Sequence, residues 1–127
     1  MRKKSKIQLD KKLWGLLSKY IRLLRDVSEP CISCGEHKDT YHAGHYITRA
    51  KKVIKFDERN VHKQCVKCNS FLEGNSAEYR VSLINKIGLS EVKNLEEIQN
   101  NLCKFSTEWY EEKIKHYTEI LKESNII

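Results

Sequence analysis

Long apolar runs are missing from this 127-residue chain. A membrane-spanning helix needs roughly eighteen consecutive apolar residues, and no stretch approaches that, which excludes an integral helical membrane protein. The start, Met1-Arg2-Lys3-Lys4-Ser5-Lys6, is basic but is followed by no apolar signal-peptide core, so the expected setting is the cytoplasm. Internal repeats and low-complexity segments are absent too, which leaves one domain as the expectation. Apolar residues make up only 39% of the chain. A core of that size is small, and a structural metal would relieve the shortage of buried apolar area.

Charge is abundant. The net charge is +7 and the pI is near 9.2. Residues 1–30 hold nine Lys/Arg against three acids, residues 31–75 eight against five, and residues 76–127 seven against nine. The basic character therefore belongs to the first two segments, and it suggests a polyanionic partner such as DNA.

Two Cys-x-x-Cys pairs stand out, Cys31/Cys34 and Cys65/Cys68. Each such turn offers two sulfurs on one side of a tight bend, and four sulfurs make a closed tetrahedral zinc site. Disulfides are disfavoured in a reducing cytosol. A redox dithiol usually rests on one pair after a strand in a βαβ pattern, and no such pattern is present. The expected zinc is structural, with no open position for water. The fifth cysteine, Cys103, lies on an apolar stretch and reads as a small buried hydrophobe.

Periodicity predicts a helix over 8–26, with Leu9, Leu13, Leu16, Leu17, Tyr20, Ile21 and Leu24 at three-and-four spacing. The single proline, Pro30, closes that segment by disfavouring the helical state of Glu29. Tyr41–Thr48 reads as a strand, Arg49–Lys55 as an exposed basic loop, and Cys65–Leu72 as a helix opening at the second knuckle. Gly74-Asn75-Ser76 breaks it. Three helices should follow, the first over about 77–87 and stopped by Gly88, the second capped by Ser90, the third capped by Ser106 or Thr107. The division is thus 1–30, a basic arm and amphipathic helix; 31–75, a zinc-bound core; and 76–127, structural helices.

The segment between the cysteine pairs carries the chemistry. His45 is the candidate general base, because an imidazole near its free pKa takes a proton from water at neutral pH. Gly44 would leave room beside it for a scissile phosphate or a metal. Asn69, directly after Cys68, offers a hard amide oxygen to Mg²⁺. His42 is a companion ligand that suits Mn²⁺ better than Mg²⁺. Asn60 could tie the loop to the strand that carries His45. Arg49, Lys51, Lys52, Lys55 and Lys63 are expected to bind DNA phosphates as a group, while His62 could be packed beside the knuckle and His37 exposed.

The runs Cys31-Ile32-Ser33-Cys34-Gly35, His42-Ala43-Gly44-His45-Tyr46 and Phe56 through Asn69, then Gly74-Asn75 and Tyr79-Arg80, resemble the phage lambda NinG/Rap recombination endonucleases. The resemblance runs from about Leu13 to Lys122. It implies an α+β fold with a zinc-stapled ββα-metal core of the HNH, or His-Me finger, type, with flanking helices. It also implies a DNA endonuclease that cuts branched recombination intermediates such as Holliday junctions and D-loops. Phage junction resolvases of the endonuclease VII type carry a similar Cys-x-x-Cys-Asn step, in which the Asn is a metal ligand, as expected for Asn69. His45 is the implied base. Two positions depart from the pattern. Gly44 stands where many such enzymes have Asp, and His42 where a carboxylate is common. The implied cofactors are structural Zn²⁺ and catalytic Mg²⁺ or Mn²⁺, the implied partner is branched DNA, and a homodimer would supply the two cuts a junction needs. Two other functions fit the residues: a zinc-dependent DNA-binding module without catalysis, and a protein-interaction adaptor that uses the helical stripes.

Overall fold

The computed structural model describes residues 5–127, so residues 1–4 of the predicted basic arm lie outside the described residues. Helix α1 spans Lys6–Tyr20 and continues as a π-helical turn, Ile21–Arg25. Ser5 caps it, with its hydroxyl accepting from the Gln8 amide while the Gln8 side chain reaches back to the Ser5 amide. Leu9, Leu13, Leu17 and Ile21 are buried along one stripe, as the period-3.6 pattern requires.

Strands β1 (Tyr41–His45) and β2 (Val61–Cys65) form an antiparallel pair in which Tyr41 faces Cys65, Gly44 faces His62 and His45 faces Val61. Helix α2 covers Ser76–Ile87, α3 Leu89–Ile98 and α4 Thr107–Glu123. Two apolar clusters flank the hairpin. One joins the α1 stripe to Ala43, Phe56, Val61, Tyr110 and Tyr117; the other joins Ile32 and Ile54 to Tyr79, Leu83, Val92 and Leu95. The architecture is mixed α+β, with a two-stranded sheet held between helices. The α1 stripe packs chiefly on α4 and the hairpin.

Several local expectations change. After β2 stands a single π-helical turn, Lys67–Phe71, in place of the predicted helix over Cys65–Leu72. Gly74 and Asn75 then take positive φ, 86° and 45°, and reset the chain direction before α2. Gly88, at φ 95°, ends α2 and also precedes α3, so Ser90 lies inside α3 and caps nothing. Ser106 does cap α4, accepting from the Trp109 amide at 3.0 Å. The 49–55 loop is not wholly exposed, because a 3-10 turn at Lys52–Ile54 drives Ile54 into the core.

Gly44 leaves no room for a phosphate or a metal. A Cβ added there would lie 2.0 Å from Oε1 and 2.9 Å from Cβ of Gln64, whose fully buried side chain fills the space. Gln64 is fixed in turn, its Nε2 donating to Ser33 Oγ at 2.8 Å and to the Gly74 carbonyl at 2.6 Å. Gly44→Ala is therefore expected to destabilise the protein by about 1–3 kcal/mol, the range for overpacking a core. Chemical denaturation of the variant beside the parent protein checks this. An unchanged midpoint would mean that Gln64 can move aside.

Candidate functional site: a cysteine cluster beneath a histidine-lined cleft

The four predicted cysteines converge. Their sulfurs all lie within 4.8 Å of one another, and Cys34 Sγ is 3.9 Å from Cys65 Sγ. A tetrahedron with Zn–S bonds of about 2.3 Å has edges of about 3.8 Å, so the cluster could hold a metal ion such as zinc. The turns are shaped for thiolates. Backbone amides of Cys34 and Cys65 point at Cys31 Sγ, at 3.5 and 3.3 Å, and the Cys68 amide points at Cys65 Sγ. Gly35, at φ 73°, closes the first knuckle. Burial raises the Cys31 thiol, but those amides outweigh it and bring its pKa down to about 7. Cys103 stands apart, half-buried in the loop before α4.

The second knuckle leads into the π-helical turn that carries Asn69. Asn69 Nδ2 lies 2.8 Å from Nδ1 of His42, on the neighbouring strand. His42, His45 and Asn69 line one cleft of about 690 Å³, with Trp14, Arg22, Arg49 and Glu73 among its other walls.

His45 is held from two sides. Its Nε2 lies 2.9 Å from the Lys55 carbonyl oxygen. A carbonyl only accepts, so Nε2 carries the hydrogen and Nδ1 keeps its lone pair. The ring stacks on Trp14, with centroids 4.7 Å apart and planes 23° from parallel. Burial lowers the His45 pKa, and the nearby Lys55 and Arg49 charges add to that, against the Lys55 carbonyl. The ring is therefore mainly neutral at pH 7. Lys55 is itself anchored, its ammonium paired with Asp10 on α1, which also accepts from the Tyr110 hydroxyl at 2.8 Å.

Asn60, expected among the catalytic residues, is fully buried and is not among the residues that line the His45 cleft. Its side chain accepts from the Ile47 amide and donates to the Ile47 carbonyl, both at 2.9 Å, and to the Ile54 carbonyl at 3.3 Å. It ties the loop after β1 to the turn before Lys55, whereas the expected tie was to the strand that carries His45.

The basic candidates divide. Arg49 and Lys52 are exposed, and Arg49 lines the His45 cleft. Lys51 donates to Asn100 Oδ1 at 2.5 Å, and Lys55 is occupied by Asp10. Lys63 is not placed to bind phosphate. It is 6% exposed, because β2 is covered along its whole length; its ammonium donates to the Val27 carbonyl at 3.2 Å and sits 4.2 Å over the Tyr41 ring. His62 is buried against Tyr79, and burial followed by the Arg25 charge lowers its pKa to about 3. A histidine whose pKa is lower in the folded state than its free value near 6.5 stabilises fully above that value. Stability is expected to decline as pH falls from about 6.5 toward 3, and less steeply in His62→Gln; thermal melts across that range test this, and equal slopes would sink it.

Trp14, Ser18 and Arg22 were not anticipated as cleft residues. Their spacing of four along α1, on the side away from the leucines, is the signal that could have revealed them.

A mixed α+β protein with a two-stranded sheet and a cluster of four cysteines that could hold a metal ion is the class that this fold and site define. Residues 1–125 match the family model of the bacteriophage lambda NinG protein, and the chain belongs to that family. It is 43% identical over 99 residues to protein ninG of Escherichia phage 933W, and 42% over 99 residues to that of Escherichia phage lambda. Each alignment covers 72% of this chain, and 49% and 48% of the respective relative. Protein ninG of Salmonella phage P22 is 50% identical over 74 residues, or 57% of this chain and 36% of the relative. The chain thus spans about half the length of the relatives it matches. No solved structure matches.

Proposed function

We propose that this protein is a divalent-metal-dependent DNA endonuclease of the His-Me finger type, acting on branched recombination intermediates in the cytoplasm of a phage-infected cell. One observation carries the proposal: His45 has its Nε2 fixed on a carbonyl and its Nδ1 lone pair left over, in the same cleft as the His42–Asn69 pair. Nδ1 takes the proton from a water molecule as that water attacks phosphorus. The P–O3′ bond breaks, the 3′ oxygen is protonated from solvent, and the ends are 5′-phosphate and 3′-hydroxyl. Asn69, turned to present Oδ1, and His42, through a ring nitrogen, supply an oxygen and a nitrogen donor for Mg²⁺ or Mn²⁺. Such an ion neutralises charge that builds up on the phosphate. Arg49 offers a guanidinium to the phosphate oxygens. Trp14 and the Lys55 carbonyl keep the imidazole aimed.

The test is incubation of the protein with linear, forked and four-way DNA in Mg²⁺, Mn²⁺ and Zn²⁺, beside His45→Ala. Cleavage by the parent protein alone supports the nuclease. Binding of branched DNA without cleavage in any of these ions would make the protein a zinc-dependent DNA-binding module instead.

A further inference from the structure

A second cleft, of about 460 Å³, adjoins the one that holds His45, and the two share Trp14 and Arg49. It lies between the first turns of α1 and the turn at Lys52, with Lys11 and Lys52 on its walls. Its carboxylate, Asp10, is already paired with Lys55. Along α1, Lys11, Trp14, Ser18 and Arg22 follow at spacings of three, four and four, so they form one stripe on the side away from the buried leucines. Arg22 Nε donates to Ser18 Oγ at 3.0 Å, which fixes the guanidinium against the cleft wall. Among the described residues, no ion pair engages Lys11, Arg22, Arg49 or Lys52. Four unneutralised cations thus border one continuous groove.

We propose that α1 forms one wall of the nucleic-acid track, with Lys11 and Arg22 binding phosphates on either side of the phosphate attacked by the water that His45 deprotonates. Eleven residues of helix separate them by roughly 16 Å. Trp14, stacked on His45, sits between the two cations. The role in cleavage rests on the nuclease proposed above, whereas the track itself is a binding surface and can be tested alone.

The experiment is fluorescence anisotropy of a labelled forked DNA, titrated across a salt series with no divalent ion added. Each phosphate contact contributes about 0.9 to the slope of log affinity against log salt. Lys11→Gln and Arg22→Gln should each reduce that slope by about one, and the double variant by about two. Arg22→Lys, which keeps the charge, should restore the slope, and its recovery also guards against misfolding as the cause. Lys19→Gln, an exposed lysine of α1 off this stripe, should change nothing. An unchanged slope in the double variant, an equal effect from Lys19→Gln, or no salt-dependent binding by the parent protein would overturn the track. A parent protein that binds with these slopes but never cuts would refute the nuclease and leave the track standing.

Discussion

Cys65→Ser, or removal of metal by a strong chelator, is expected to unfold this protein. Cys31, Cys65 and Cys68 are buried together, with Tyr41 packed against them. They connect three parts of the chain: the segment after α1, the end of β2 and the turn that carries Asn69. The sheet they brace has two strands of five residues each. An isolated two-stranded hairpin is marginal in water. Structural zinc contributes an apparent 10–16 kcal/mol in small domains at pH 7, against a typical net stability of 5–15 kcal/mol. Loss of a zinc ion bound there would therefore be expected to match or exceed the typical net stability of a domain. The measurement is far-UV circular dichroism through a thermal melt, with zinc content read in parallel. One zinc per chain in the parent protein and a lost transition in Cys65→Ser are the expected results. A metal-free protein that melts at the same temperature with and without chelator would show that the cysteines staple nothing.

For the proposed endonuclease, replacing His45 by alanine is expected to have the largest effect on cleavage. A positioned general base is worth about 10²–10⁴-fold in rate, or about 3–5 kcal/mol in the barrier. The His45→Ala protein should cut branched DNA slower by that factor while keeping its DNA affinity, since the ring is neutral and binds no phosphate by charge. The pH profile supplies a second readout. The base works in its neutral form, and burial lowers its pKa from the usual 6.5. The rate should hold as pH falls through 6.5 and decline only at lower pH. A rate that already halves near 7, or a His45→Ala protein as fast as the parent, would remove His45 from the chemistry.

Much of this was legible in the sequence because it is local. Cys-x-x-Cys spacing alone places two sulfurs together, and the leucine stripe of α1, the stop at Gly88 and the cap at Ser106 are each set within a few residues. Asn60 reads as a tie to the strand that carries His45, and its side chain bonds instead to Ile47, just beyond that strand, and to Ile54. What failed depended on neighbours remote in sequence. Lys63 reads as a phosphate ligand in a basic segment, yet Asp26 accepts from its backbone amide at 3.1 Å and Val27 from its ammonium. Gly44 reads as open space until Gln64 is seen in it. The hold on His45 passes from Tyr110 through Asp10 and Lys55, across one hundred residues between the first two. Neither composition nor periodicity encodes such a chain.

By itself, then, the sequence determined which four cysteines converge, and the helical stripes of α1 and α4. These follow from side-chain chemistry and short-range backbone preference. The tertiary structure alone decided which lysines keep a free charge, which nitrogen of His45 bears the proton, and that α1 lines the cleft. Those depend on which groups packing brings within bonding distance and which it seals from water.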